Sequence, residues 1–260
     1  MATTSAGRPR AGLFVTCLAD LLRPSVGFAA ASLIEAAGCE VVVPGSQTCC
    51  GQPAYNAGEI EKSRAIAKTA ISAFETCDYV VAPSGSCAAM LKRHVARLLS
   101  DDPRLAGAAL SFAGRVHELT SFLVNVRGMT KAPGRFKGRV AYHDACSAKR
   151  ELGIEREPRL LLASIHGLEL VEPDRAEECC GFGGLFSIEY ADISSALAVR
   201  KAGAIRECAP DLVVGPDLGC LMSIAGTLSR QGVELACRHV AEVLAGELTA
   251  PPIGQTTGLG

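Results

Sequence analysis

Glu178-Cys179-Cys180-Gly181-Phe182-Gly183-Gly184 is the stretch on which the fold turns, because Thr48-Cys49-Cys50-Gly51-Gln52-Pro53 carries the same Cys-Cys-Gly core about half a chain earlier. Each pair is flanked by one cysteine upstream and one downstream: Cys17 and Cys87 around the first, Cys146 and Cys220 around the second. The intervening segments hold 31 and 36 residues in the first set and 32 and 39 in the second. Adjacent cysteines in an extended strand point to opposite faces. They reach one centre only where the chain turns, and Gly51 and Gly181 supply that freedom. Eight thiols at matched spacing indicate soft-metal ligation by thiolate, with iron-sulfur chemistry as the first reading and structural zinc in one repeat as the second.

Outward from the pairs, one succession of elements runs twice. Short β-rich runs, Leu13–Thr16 and Val140–His143, each precede a cysteine and then a helix started by proline, Pro24 or Pro158. Val26, Ala30, Leu33 and Ala37 make an apolar face ended by Gly38; Leu161 and Ile165, ended by Gly167, do the same in the second half. Second strands are predicted at Glu40–Val43 and Leu168–Val171, and third strands at Tyr79–Ala82 and Leu212–Val214. The helix after each cysteine pair should bury Ala67, Ala70, Ile71 and Phe74 in the first half, and Ile193, Ala196 and Leu197 in the second. Each half should end in an amphipathic segment, Val116–Val124 or Arg238–Leu244, with His117 and His239 at matching places on helices in packing roles. Strands alternating with helices predict an α/β fold of two pseudo-symmetric repeats, each a small parallel sheet covered by helices. The repeats are read as 11–129 and 137–248, separated by the turn-forming Thr130-Lys131-Ala132-Pro133-Gly134, with residues 1–9 and 249–260 as disordered ends.

Composition narrows the function. The 260 residues are 48% hydrophobic and 20% charged, which suits a buried core under an ordinary polar surface. Basic and acidic residues number 26 and 27 and are spread along the chain, so nothing recommends a nucleic-acid or membrane-surface partner. Arg8 and Arg10 before Ala11–Ala19 superficially resemble an export signal. Asp20 and Arg23 cut the apolar run short, and it has an internal counterpart at Arg139–Cys146, so it reads as a first strand. No apolar run approaches the ~20 residues that span a bilayer. Reduced thiols in a cytoplasmic protein are the expectation.

Cys17, Cys87, Cys146 and Cys220 each follow a predicted strand at its carboxyl end, where open α/β sheets place their ligands. Cys87 and Cys220 also enter the first turn of a helix, whose partial positive charge favours thiolate. Cys39, Cys77, Cys208 and Cys237 have no counterpart between halves and read as fillers of core or surface. Only the second half has His143-Asp144 ahead of its first cysteine and Lys149-Arg150-Glu151 behind it; only the first has Gln52, Tyr55 and Asn56 after its pair. His143 is the candidate catalytic residue, delivering a proton during reduction; the alternative is a strand-end histidine held by Asp144. No GxGxxG opens a helix after the first strand, no GxxxxGK[ST] occurs, and no Cys-x-x-Cys-x-x-Cys run marks a ferredoxin cubane.

Two Cys-Cys-Gly repeats resemble the cysteine-rich (CCG) domain found in heterodisulfide reductase, in glycerol-3-phosphate dehydrogenase and in the iron-sulfur subunit of glycolate oxidase. More closely, Thr48–Gly58, Pro83–Met90, Glu178–Gly184 and Gly219–Met222 are similar to the lactate-utilisation protein A (LutA/YkgE) family, over about residues 11–246. The resemblance implies an iron-sulfur electron-transfer subunit of a complex oxidising L-lactate to pyruvate with LutB-like and LutC-like partner subunits. A glycolate or glycerol-3-phosphate oxidase subunit is the runner-up, and a zinc- or thiol-based scaffold or redox sensor the rival class. In the heterodisulfide reductase relatives each repeat ends Cys-x-x-Cys, which supplies a fifth cysteine to a non-cubane cluster. Here Ser84 and Asp217 stand at that first position, leaving four cysteines per repeat, enough for an ordinary [4Fe-4S] cluster. Ser84 and Asp217 then read as N-caps of the helices carrying Cys87 and Cys220, with an oxygen ligand to the cluster as the alternative.

Overall fold

The computed structural model of the chain describes residues 7–255. Within them two four-stranded sheets form, one from each half. β1 (Arg10–Leu13), β2 (Glu40–Val42), β3 (Tyr79–Ala82) and β4 (Val116–Glu118) make the first; β5 (Gly138–Tyr142), β6 (Leu168–Val171), β7 (Leu212–Gly215) and β8 (Ala236–His239) make the second. The strand orders are β2-β1-β3-β4 and β6-β5-β7-β8, and every pairing is parallel. The two-repeat α/β architecture follows directly from this topology.

Parallel strands need crossover helices, and these give each sheet two covered faces. The central layer between the sheets is apolar. Leu13, Leu33, Leu119 and Phe122 of the first half pack there with Tyr142, Leu161, Val240 and Val243 of the second. The outer faces are closed separately, by the cluster of Phe74, Val80, Leu91 and Phe112 in the first half and that of Val213, Leu221, Ile224 and Leu228 in the second. A buried ion pair pins the central layer. Arg23 Nε lies 2.9 Å from Glu242 Oε1, which also accepts from Ser25 Oγ at 2.7 Å.

Several expected elements are displaced, each for a local reason. The run Leu13–Thr16 is strand by its composition, but β1 ends at Leu13: Thr16, though extended, already stands immediately before a six-residue helix, Cys17–Leu22. A matching helix, Cys146–Leu152, follows β5, so the first cysteine of each set also opens a helix. Pro24 stands immediately before the helix Ser25–Ala36, whereas Pro158 lies inside the first turn of Arg156–Ala163 rather than at its start. The histidine-bearing segments begin as edge strands, not helices: His117 is on β4 and His239 ends β8. Their registers also differ. Glu118 pairs with Ala82 while His239 pairs with Gly215, so the counterpart of His239 is Glu118 and not His117.

The helix Ala191–Glu207 buries a face other than the one expected. Ile193 and Ala196 are exposed and Leu197 half-buried, while Ser194, Ala198, Lys201, Ala202 and Ile205 face inward. Ser194 Oγ donates to Gly181 O at 2.7 Å and Lys201 Nζ to Ala176 O at 2.7 Å. Polar partners, rather than apolar area, orient this helix. Of the ends expected to be disordered, 1–6 and 256–260 lie outside the described residues. Beside them the chain is tied down. Arg8 donates to Cys39 O at 2.7 Å, Arg23 Nη1 to Pro251 O at 2.8 Å, and the backbone N–H of the buried Ile253 to Cys237 O at 2.8 Å. Among the described residues no helix is long and apolar enough to cross a membrane.

Candidate metal centre

The order β2-β1-β3 places the reversal of strand order between β1 and β3, and β6-β5-β7 does the same in the second half. Ligands of open α/β sheets bind at that switch point. Cys17 and Cys87 leave the carboxyl ends of β1 and β3, Cys146 and Cys220 those of β5 and β7, and each Cys-Cys-Gly turn follows the neighbouring edge strand. Gly51 has φ +87° and Gly181 φ +81°, the left-handed turn that folds each pair back onto its rim. At Gly181 a side chain is excluded outright, since a Cβ would stand 2.3 Å from Ser194 O.

All eight repeated cysteines line one cavity of about 320 Å³ between the halves. None is in a disulfide, and Cys17 Sγ lies 3.9 Å from Cys49 Sγ. Cys39, Cys77, Cys208 and Cys237 are elsewhere: the first three precede the amino ends of β2, β3 and β7, and Cys237 lies within β8. Thiols are in mutual contact within each half. Hydrogen bonds from Cys17 and then Cys50 hold Cys49 far below the ordinary thiol range; Cys146 and then Cys180 do the same to Cys179, aided by the Gly181 N–H at 3.4 Å. Cys17, Cys50, Cys146 and Cys180, sharing those bonds and desolvated, are pushed up. In each half the first cysteine of the pair is thus the readiest thiolate, with raised thiols in contact with it, a donor set suited to a soft metal or cluster, whose binding releases the remaining protons.

Two polar residues join the rims. Ser84 caps its helix as expected, accepting from the Cys87 N–H at 3.2 Å. Asp217 does not cap its own helix. Its carboxylate reaches across the cavity, where Ser84 Oγ and Ser86 Oγ donate to it, the latter at 2.9 Å, with the Ser86 N–H at 3.3 Å. The first-half helix Gly85–Ala89 also lies against Cys146–Leu152, so closely that a Cβ at Gly85 would stand 2.5 Å from Ala148 Cβ. The rims are therefore one site.

His143 is 1% exposed, and neither ring nitrogen has a hydrogen-bond partner among the described residues. Leaving a buried polar atom unpaired costs about 1–3 kcal/mol. One ring nitrogen and the sulfurs of Cys180 and Cys220 lie within 4.8 Å of one another. Burial, then the charge of Lys201, pushes the His143 pKa down to about 3. Asp144 does not hold the ring. Arg159 engages both carboxylate oxygens, at 2.9 and 2.8 Å, and Arg159 in turn stacks over Tyr142 at 5.2 Å.

Other asymmetric residues divide. Gln52 and Asn56 line the cavity, while Tyr55 packs on His94, ring centroids 4.9 Å apart. Glu151 bridges the halves to His94 Nε2 at 2.9 Å; Lys149 pairs with Glu155 at 2.9 Å, and Arg150 Nη2 donates to Glu177 O at 3.3 Å. Sequence reasoning missed Lys201, buried at the base of the second rim, whose ammonium anchors the loop before Cys179. Its signal was available as the inward spacing Ser194, Ala198, Lys201, Ala202, Ile205, masked because two of the five are polar.

Comparison with known proteins finds the repeat as well. The model of a family described as "Cysteine-rich domain" matches twice, at residues 11–92 and 140–225. A protein named Lactate utilization protein A from Oceanobacillus iheyensis is 41% identical over 235 residues, 90% of this chain and 96% of that one. Proteins of the same name from Geobacillus kaustophilus and an Exiguobacterium species are 43% and 44% identical, over 90% and 91% of this chain and 98% and 97% of theirs. A hypothetical protein from Helicobacter pylori has the same fold at 10% identity, with TM-score 0.59; the match covers 98% of this chain and 55% of that one.

Proposed function

The chain belongs to the lactate utilization protein A family, carrying its cysteine-rich domain twice, and on that premise we propose that it is the iron-sulfur electron-transfer subunit of a complex oxidising L-lactate to pyruvate. One observation carries the reading: eight free thiols, four from each half, converge on a single cavity between the repeats. Cys17, Cys49, Cys50 and Cys87 would hold one centre and Cys146, Cys179, Cys180 and Cys220 the other, each set matching the four thiolates of an ordinary [4Fe-4S] cluster. Such a cluster supplies one-electron transfer. The chain's own residues prepare the site. Cys49 and Cys179 offer the first thiolates, Asp217 and Ser86 fix the distance between rims, and Leu18, Phe182, Leu185 and Leu218 line the cavity against water.

Removing two electrons from a hydroxyacid calls for a hydride acceptor or equivalent cofactor, so we assign that step to LutB-like and LutC-like partner subunits and the relay to this chain. Working in the cytoplasm keeps its thiols reduced. Exposed Leu21 and Leu22, one helical turn beyond the cavity residue Leu18, and exposed Ile188 and Tyr190, just beyond Leu185, support the cavity mouth as the docking face.

The test is anaerobic purification with iron, sulfide and zinc analysis. Iron should be bound, Cys50→Ala and Cys180→Ala should each lose it, and Cys39→Ala and Cys237→Ala should keep it. Equal iron in all four variants, or zinc alone, would sink the assignment. With its cluster intact, the purified chain should not sustain lactate oxidation with an artificial acceptor until the partner subunits are added; turnover by the chain alone would make it the catalytic subunit.

A further inference from the structure

We propose that His143 is a metal ligand of the second-half centre, giving that centre a nitrogen donor that the first half lacks. The inference rests on the metal-binding reading above and adds an asymmetry to it. The two halves can be compared at this position because the backbone fixes it identically. The Phe14 N–H donates to Val81 O at 2.8 Å, and the His143 N–H donates to Val214 O at 2.7 Å. Phe14 and His143 are therefore the same residue of the repeat, three positions before Cys17 and Cys146.

What fills the position differs. Phe14 is fully buried, packs on Phe74 with ring centroids 5.7 Å apart, and joins the apolar cluster that contains Cys50 and Cys87. A hydrocarbon ring thus satisfies all that packing asks of the site. The second half places there a ring of similar outline with two polar nitrogens, at 1% exposure, and pairs neither among the described residues. Polar side chains nearby are engaged elsewhere: the adjacent Asp144 by Arg159, and Lys201 by Ala176 O. The same ring stands beside Cys180 and Cys220, with one nitrogen within 4.8 Å of both sulfurs. An imidazole nitrogen and two thiols at that separation make a donor group that one metal atom can share, and mixed histidine-thiolate sets bind both zinc and cluster iron.

The exchange of donors has a directional consequence. Four thiolates already fill an ordinary [4Fe-4S] cluster, so His143 as a ligand stands in for one of the four second-half thiolates. A neutral imidazole in place of a thiolate raises the potential of a cluster. The second-half centre is then the stronger electron acceptor of the two, and electrons run from the first rim to the second.

The experiment uses the full chain, labelled with ¹⁵N-histidine, purified anaerobically and loaded with iron. Pulsed EPR of the stepwise-reduced protein should show a histidine nitrogen coupled to the centre that reduces first. His143→Phe, which copies Phe14, should abolish the coupling, and His117→Phe should leave it. His143→Cys should keep iron bound but lower the midpoint potential of that centre alone. X-ray absorption at the edge of the bound metal, iron or zinc, gives an independent readout: a nitrogen scatterer at roughly 2.0 Å in the parent chain, absent from His143→Phe. Bound metal with an all-sulfur shell, or a coupling that survives His143→Phe, overturns the ligand role and leaves the metal-binding reading standing. A chain that takes up neither iron nor zinc overturns both.

Discussion

The two halves keep one design at the amino ends of their strands and depart from it at the carboxyl ends. In the first half Asp78 accepts the Arg10 N–H at 2.7 Å, and Arg10 pairs with Glu40 at 3.8 Å; in the second Asp211 accepts the Arg139 N–H at 2.7 Å, and Arg139 pairs with Glu169 at 3.6 Å. At the other end Phe14 in the first half corresponds to His143 in the second, Ser84 to Asp217, Gly85 to Leu218, and Glu118 to His239. Strand pairing needs the first set of contacts in any copy of the repeat. The second set lies where the copies meet and the thiols gather, so each side there has been fitted to its neighbour. The difference teaches that the fold is a duplication while the site is a single asymmetric object, and the halves should not behave as separable domains.

The largest effect that could break this comparison lies at Glu242. Its carboxylate is fully buried and accepts from Arg23 and Ser25 of the first half and from the His239 N–H at 3.0 Å in the second. Glu242→Ala leaves a buried guanidinium uncompensated and should cost roughly 3–5 kcal/mol, with Glu242→Gln costing less. Chemical denaturation should remain one transition, read identically by near- and far-UV circular dichroism. Two separate transitions, with only one moved by Glu242→Ala, would mean that the halves fold independently after all.

A smaller effect tests the fit of one rim to the other. Gly85→Leu installs in the first half the residue that the second carries at Leu218. A Cβ at Gly85 meets Ala148 Cβ at 2.5 Å and Ala148 backbone at 3.2 Å, so the helix of Cys146 must move. Overpacking of this kind costs about 1–3 kcal/mol. Ala148→Gly in the same chain should recover part of the loss, a coupling that a double-mutant cycle measures directly. Strict additivity would show that the two helices do not depend on each other.

Much of this is legible in the chain itself. The doubled Cys-Cys-Gly spacing carries the repeat, the strand-then-cysteine order carries the rim, and Gly51 and Gly181 carry the turn. What escapes the sequence has common physics. Val116–Glu118 and Ala236–His239 are edge strands of three and four residues, too short for a period-two pattern to separate from the helices they lead into. The helix Ala191–Glu207 is oriented by Ser194 and Lys201 through backbone acceptors on distant loops, and no local hydrophobic pattern encodes those partners. Asp217 has the sequence surroundings of an N-cap because its neighbours are helical; its actual partners, Ser84 and Ser86, are more than a hundred residues away. Local signals encode the repeat, and contacts between the copies decide the rest.

The smallest predicted effect sharpens the contrast between Glu118 and His239, which hold the same place after the fourth strand of each half. Both cap the following helix: Glu118 accepts from the Ser121 N–H at 3.0 Å, and His239 Nδ1 from the Ala241 N–H at 3.2 Å. Burial acts on them in opposite senses. It pushes Glu118 up to about 7, against the hydrogen bonds from Thr120 and Ser121, and pushes His239 down from its ordinary value. Because the folded pKa of Glu118 lies above its unfolded value of 4.5, the native state keeps a proton that the unfolded chain releases. Its contribution to stability therefore falls as pH rises from about 4.5 to about 7 and is level above that. Glu118→Gln keeps an acceptor for the cap and removes the titration. Relative to the parent chain the variant should gain about 1–2 kcal/mol between about pH 5 and about pH 8, measured by denaturant midpoints at each pH. His239 is already neutral over the upper part of this range, and a glutamine there should produce no such pH-dependent gain. A parallel pH response at both positions would erase the distinction between the two caps and, with it, this instance of asymmetry.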